Sequence, residues 1–225
     1  MDTVRWATFD CFGTLVDWRH GIAASGELVA PGVGDPLLDA YNRWEMQIQS
    51  ETPTMRYRDV LTECFRRACG DCGVDLVEDD LRVLATTIPH WPVFPDVTAN
   101  LRALRAAGWN LALLTNCDRD IIGATIRRLR VPIDAVVTAE DAGAYKPAHN
   151  HFSRFRESFR PAASDWVHVA QGYTHDMVPA QQLGIHRVWV NRLGEPHDPD
   201  VAEAVLPTLE GLVATVQRVA AQGAG

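Results

Sequence analysis

Five short apolar runs, rich in β-branched and aromatic residues and set apart by helical patterns, constrain this chain more than any other feature. They are Val4 to Phe9 (VRWATF), Trp109 to Asn116 (WNLALLTN), Asp134 to Ala139 (DAVVTA), Trp166 to Gln171 (WVHVAQ) and His186 to Asn191 (HRVWVN). Runs of this length read as buried strands, and strands that alternate with helices build a parallel, doubly wound α/β sheet, here of about five strands. The helices between the last four runs are expected over Arg119–Arg130, His149–Arg160 and His175–Leu183, with Gly184 as a C-terminal stop. At 225 residues and 47% hydrophobic content, the chain is long enough to bury such a core.

One interval breaks the alternation. About 90 residues separate Leu15 from Trp109, far more than a single crossover needs, and helical patterns fill most of them. Helices are expected over Pro36–Glu51, Arg56–Cys69 and Glu78–Thr87. The segment PHWPVFPDV follows, where Pro89, Pro92 and Pro95 stiffen an extended return. The expected division is a sheet domain of residues 1–16 and 93–225, with residues 17–92 inserted as a helical cap. The tail VQRVAAQGAG is expected to fray after a last helix.

Charge and cysteine usage narrow the function. A net charge of −8 disfavours nucleic acid and anionic membrane surfaces, which reward clustered basic residues. A small, diffusible substrate is the expectation, and a homodimer is kept open. The opening MDTVRWATFD lacks the charged and apolar regions of a secretory signal, and no stretch approaches a membrane span, so a cytoplasmic setting is expected. The five cysteines are an odd, scattered set that forms no disulfide framework. Cys69 and Cys72 make a C-x-x-C without a second ligand pair at zinc spacing and without a preceding strand. They read as a helix end followed by the turn residues Gly70 and Gly73.

In an open parallel sheet, ligands bind beyond the carboxyl ends of the strands, and the polar residues of this chain gather there. Asp10 follows the first run, Thr115 and Asn116 end the second, Lys146 lies in the loop after the third, and Asp176 lies just after the fourth. Asp10 leads C-F-G-T, a tight turn that Gly13 permits, whose backbone amides near Cys11 and Phe12 can hold an anion. Asp10 is the candidate nucleophile. Lys146 supplies a charge that keeps carboxylates ionised, and Asp176 orients the lysine or a water. Alone, each residue has a plain structural role as a helix cap, a turn former or an exposed charge; in this order they define a site. Two places after Asp10, where a carboxylate would serve as acid and base, stands Phe12, which argues against a phosphatase.

The ordered set F-D-C-F-G-T-L, T-N, K-P and a late acid resembles the haloacid dehalogenase superfamily over nearly the whole chain. Its aromatic Phe12 is similar to that of the (S)-2-haloacid dehalogenase branch. The resemblance implies a Rossmann-like core with a cap and an aspartate nucleophile that forms a covalent ester. Asp10 would displace halide from C2 of a small 2-haloalkanoic acid, and water would free a 2-hydroxy acid without a cofactor. Halide leaves without a proton, so no acid is needed beside the nucleophile. By the same resemblance, Thr14 hydrogen-bonds Asp10, and Thr115 with the amides near Cys11 and Phe12 holds the substrate carboxylate. Asn116 faces the leaving group, and Lys146 with Asp176 supports both steps. A cap arginine is expected near the halide; a count from Gly32 and Gly34 places Asn42 there with Arg43 adjacent, and Arg43 is favoured.

Where the resembling dehalogenases carry a serine- and asparagine-rich turn, this chain has Gln171, Gly172, Tyr173, Thr174 and His175. Tyr173 is expected to line the pocket and His175 to assist hydrolysis. Phe152 takes the place of another ring, and Trp18, Tyr41, Trp44 and Tyr57 would wall the pocket. Three alternatives remain: the same attack on a strained ring carboxylate such as azetidine-2-carboxylate, a Mg²⁺-dependent phosphatase with Asp10 and Asp176 sharing the metal, and a non-catalytic relative.

Overall fold

The computed structural model describes residues 4–222. In chain order its elements are β1 (Arg5–Phe9), α1 (Trp18–Val29), α2 (Gly34–Glu51), α3 (Tyr57–Asp71), α4 (Val83–Thr87), α5 (Val97–Ala106), β2 (Trp109–Thr115) and α6 (Arg119–Leu129). There follow β3 (Ala135–Thr138), α7 (Ala139–Ala142), α8 (Asn150–Phe159), β4 (Trp166–Ala170), α9 (Val178–Gln182), β5 (His186–Val190), β6 (Ala204–Leu206) and α10 (Leu212–Gln222). The expected fraying of the tail beyond α10 lies outside the described residues. The chain divides into two compact units. One comprises the residues up to Val16, Val93–Asn116 and those from Ile126 onward; the other comprises Asp17–Pro92 and Cys117–Thr125.

The first unit is built on a parallel sheet ordered β3-β2-β1-β4-β5-β6, which makes it a Rossmann-like α/β fold. β1 pairs with β2 on one side and β4 on the other, with Thr8 opposite Ala112 and His168. Connections from β1 run outward through β2 and β3, and those from β4 through β5 and β6. The switch in direction falls between β1 and β4, where such sheets open a crevice at their carboxyl ends. Leu111, Leu113 and Leu114 of β2 and Val167 and Val169 of β4 are fully buried. Each such side chain stabilises the fold by about 1.5–3 kcal/mol, which is why the runs are apolar on both faces.

The sheet has six strands, where about five were expected. The extra one, β6, is three residues long and only partly buried, too short and too mixed to show a period. The segment expected as one helix over His175–Leu183 is instead a π-type turn at Tyr173–Met177 leading into α9, with Pro179 in the first turn of that helix. Helix α5 was not anticipated behind its prolines.

The second unit is helical. α1 escapes a propensity reading because Gly21, Ser25 and Gly26 interrupt it, yet its geometry needs them. A Cβ at Gly21 would meet the ring of Trp91 at 2.3 Å, and one at Gly26 would meet Leu37 at 2.8 Å. These glycines lower helix propensity but let the partners close in. Asp118 is buried and accepts the amides of Tyr57 and Arg58, both at 3.0 Å, at the start of α3. That cap draws residues 117–125 into the helical unit, which was expected to hold residues 17–92 alone. All five cysteines are free thiols, and α3 continues through Gly70 to Asp71 before Gly73 turns left-handed. Among the described residues no helix is long and apolar enough to cross a membrane.

Candidate active site

Asp10 leaves β1 into the turn Cys11–Val16, closed by the amides of Leu15 and Val16 on the Cys11 carbonyl and by that of Gly13 on Val16. Gly13 takes a φ of 98°, a conformation that side chains other than glycine adopt at a cost. The turn carries Thr14 back over the acid, and Thr14 Oγ1 donates to Asp10 Oδ2 at 2.9 Å. The same hydroxyl accepts the Gln171 amide at 2.9 Å, tying the β1 turn to the end of β4.

Lys146 is the hub of the site. Its Nζ donates to Asp10 Oδ1 at 2.9 Å, to Asp176 Oδ1 at 2.6 Å and to the Leu114 carbonyl at 2.9 Å, so all three ammonium hydrogens are used. Burial alone would discharge the lysine, but the two carboxylates outweigh it and hold the lysine pKa above its ordinary 10.5. Asp176 is likewise buried, yet Lys146 and His168 hold it below the ordinary carboxylate range. Burial raises the pKa of Asp10 above 3.8, and the charge of Asp176 adds to that rise while Lys146 and Thr14 oppose it.

Asn116 forms a reciprocal pair with the Lys146 backbone, accepting its amide at 2.7 Å and donating to its carbonyl at 3.1 Å. Its carboxamide therefore anchors the lysine loop. Thr115 is fully buried, and its Oγ1 has no hydrogen-bond partner. A buried hydroxyl without a partner is costly, and at a strand end such a group is available to a ligand.

Tyr173 stacks on His197 at 4.3 Å and meets Trp189 edge-on at 5.5 Å, so its ring braces the turn that carries Asp176. His175 is half-buried on that turn. Arg43 is 62% exposed, its guanidinium donates to Asp71 at 3.2 Å, and Trp44 Nε1 donates to the same carboxylate oxygen. Its contacts lie inside the helical unit, because α2 turns Arg43 toward α3.

Three further groups were not anticipated. His168, in mid-strand on β4, is fully buried, and its Nε2 lies 3.1 Å from Asp176 Oδ1. Arg192 donates from Nε to the Thr14 carbonyl at 3.0 Å and from Nη2 to both oxygens of Asp96 at 3.1 and 3.0 Å, above the Phe94 ring. Gly172 leaves room for the second oxygen of Asp176, which a Cβ there would approach to 2.5 Å. The histidine in WVHVA is a polar residue inside an otherwise apolar strand, and that was its signal. Arg192 and Gly172 gave none, because their partners lie far away in the chain or their role is an absent side chain.

Comparison with known proteins joins this geometry to a family. The model of the haloacid dehalogenase-like hydrolases matches residues 4–184. (S)-2-haloacid dehalogenase H-109 of Pseudomonas putida is 26% identical over 204 residues, covering 88% of this chain and 90% of the relative. Haloacid dehalogenase-like hydrolase domain-containing protein 3 of Bos taurus is 30% identical over 235 residues, covering 93% and 92%. The structure of L-2-haloacid dehalogenase from Xanthobacter autotrophicus with chloropropionic acid covalently bound superimposes with a TM-score of 0.82, at 19% identity and over 96% of this chain and 99% of that one. That last likeness speaks to the fold, while the sequence matches speak to descent. The chain is a hydrolase and belongs to the haloacid dehalogenase-like hydrolase family.

Proposed function

We propose that this hydrolase displaces halide from C2 of a small 2-haloalkanoic acid through an ester on Asp10. The reading rests on one observation: a buried carboxylate held by Lys146 and Thr14, with Phe12 at the sequence position where a proton-donating acid would stand. A carboxylate oxygen of Asp10 attacks C2, the new O–C2 bond forms, and the C–halogen pair leaves as halide. Thr115, with its unpartnered hydroxyl, and the amides near Cys11 and Phe12 hold the substrate carboxylate. Lys146 keeps Asp10 aimed and ionised.

In the second step water adds to the carboxyl carbon of Asp10. Asp176 takes one proton from that water and returns it to the departing 2-hydroxy acid, and the other proton goes to solvent as Asp10 is freed. Asp176 suits this role because its side-chain donors, Lys146 and His168, both bind Oδ1, leaving Oδ2 for the water. Tyr173 and His175 border that turn as pocket residues.

A magnesium ion does not fit this donor set. Such ions take six oxygens in near-octahedral array, whereas both carboxylates already converge on an ammonium and Phe12 offers no oxygen. Among the described residues no group of three acidic, histidine or cysteine side chains is arranged to hold a metal. We place the reaction in the cytoplasm, where the free thiols stay reduced, and read it as independent of cofactors. A strained ring carboxylate would satisfy the same attack. A panel of chloro-, bromo- and fluoroacids, ring carboxylates and phosphoesters, run with and without EDTA, tests the reading. Halide release that resists EDTA and is abolished in Asp10→Asn supports it; phosphate release sensitive to EDTA as the only activity sinks it.

A further inference from the structure

We propose that His168 is a positioning residue for the hydrolytic half-reaction, held by Thr8 and Trp166 so that it fixes the rotation of the Asp176 carboxylate. This inference rests on the reaction proposed above, and it concerns only the step that frees Asp10.

One arrangement gives every donor and acceptor of this buried chain a partner. Asp176 is ionised and only accepts, so His168 Nε2 carries a hydrogen and donates to Oδ1 at 3.1 Å. In the neutral ring Nδ1 is then an acceptor, and Thr8 Oγ1 lies 2.9 Å from it. The Thr8 hydroxyl donates to Nδ1, and its oxygen in turn accepts Trp166 Nε1–H at 2.9 Å. Trp166, Thr8 and His168 thus fix one tautomer across two adjacent strands, where Thr8 and His168 are register partners. The Phe152 ring meets the imidazole edge-on at 4.9 Å, which blocks the ring from turning. All four of these side chains are buried.

What the chain accomplishes is selection between the two oxygens of Asp176. Oδ1 receives two donors, the Lys146 ammonium and the imidazole, whereas Oδ2 lies over Gly172. With Lys146 alone, the carboxylate can swivel about a single contact; with two donors its plane is set and Oδ2 faces outward. The turn after β4 here reads Q-G-Y-T-H, without the serines and asparagine that would otherwise position water. Orientation of the base therefore falls to groups beneath it. The charged and titratable groups around Asp176 are Lys146, Asp10 and His168, with His151 nearby on α8. Burial and Lys146 push the His151 pKa down to about 3, so that ring stays neutral and does not compete.

Attack by Asp10 on C2 does not move a proton, so loss of His168 should spare it. The experiment is single turnover of (S)-2-chloropropionate in ¹⁸O-water, with halide release and the mass of the Asp10 peptide followed over time in wild type, His168→Leu, His168→Gln and Thr8→Val. In His168→Leu the halide burst should persist at near wild-type rate while ester on the Asp10 peptide accumulates, its hydrolysis slowed about 10- to 100-fold, the weight of one hydrogen bond to a charged group. The acid limb of hydrolysis should move to higher pH, since a donor that favours ionised Asp176 is gone. His168→Gln, which can donate to Oδ1, should recover much of the loss. Thr8→Val, nearly isosteric, should show a smaller slowing of the same step. Equal slowing of halide release and hydrolysis in the folded variants, or an unmoved acid limb, overturns the assignment. Wild type whose Asp10 peptide gains neither ester nor ¹⁸O while halide is released defeats the parent reading instead, so the two failures are distinguishable.

Discussion

Replacing Lys146 with methionine keeps the length and most of the volume of a side chain that is 1% exposed but removes its charge and three hydrogen bonds. Asp10 and Asp176 are then left side by side without a cation, and the Leu114 carbonyl loses its donor. Removing one partner of a buried ion pair costs about 3–5 kcal/mol. In a protein of this size that lowers the melting temperature by about 6–20 °C, at ~2–4 °C per kcal/mol. The loss should depend on pH in a definite direction. In the native protein Asp176 is held below its ordinary pKa, so its share of stability is present at neutral pH and fades on acidification. In the variant only Thr14 and His168 are left to oppose burial, so the carboxylate pKa values rise, and acidification neutralises the acids and relieves the penalty. The gap between the two proteins should therefore narrow from pH 7 to pH 5. Urea unfolding at both pH values measures it. A loss below about 1 kcal/mol at pH 7, or a gap that widens at pH 5, would refute the buried-triad account.

Gly172→Ala should cripple ester hydrolysis by tenfold or more, read by quench-flow, because its Cβ falls 2.5 Å from Asp176 Oδ2; the backbone φ of −65° accepts alanine without strain. Arg192→Leu removes both contacts of Nη2 to the half-buried Asp96, leaving it only the Leu209 amide, and frees the Thr14 carbonyl, so about 3 kcal/mol of stability should be lost in chemical denaturation. Arg43→Ala removes only an exposed pair, and calorimetry should find the melting temperature within about 2 °C of wild type. The pH profile of halide release should lose its acid side above the ordinary aspartate value of 3.8, because protonation of Asp10 through its raised pKa stops attack. Its alkaline side should hold to above 10.5, because Lys146 keeps its proton longer than a free lysine.

The sheet was legible because burial on both faces leaves continuous apolar runs, and such runs need no partner to be recognised. The same holds for Asp10, Lys146 and Asp176, since polar residues at successive strand ends of one sheet converge by topology. β6 was lost because three half-exposed residues carry no period, and α1 because the glycines that admit Trp91 and Leu37 look like breakers. His168 was in view as part of a strand, but its partner depends on cross-strand register, which pairs it with Thr8 only in three dimensions. Arg43 has its own partner, Asp71 on the next helix, which a count along the sequence does not reveal.

Transfer of solvent oxygen into Asp10 tests the central claim most directly. With enzyme in excess over (S)-2-chloropropionate in ¹⁸O-water, one turnover should place a single ¹⁸O in the peptide carrying Asp10 and none in the released 2-hydroxy acid, because water attacks the aspartyl carbon. Label found only in the product, with the Asp10 peptide unchanged in mass, would mean that water attacks C2 itself and that Asp10 is not the nucleophile.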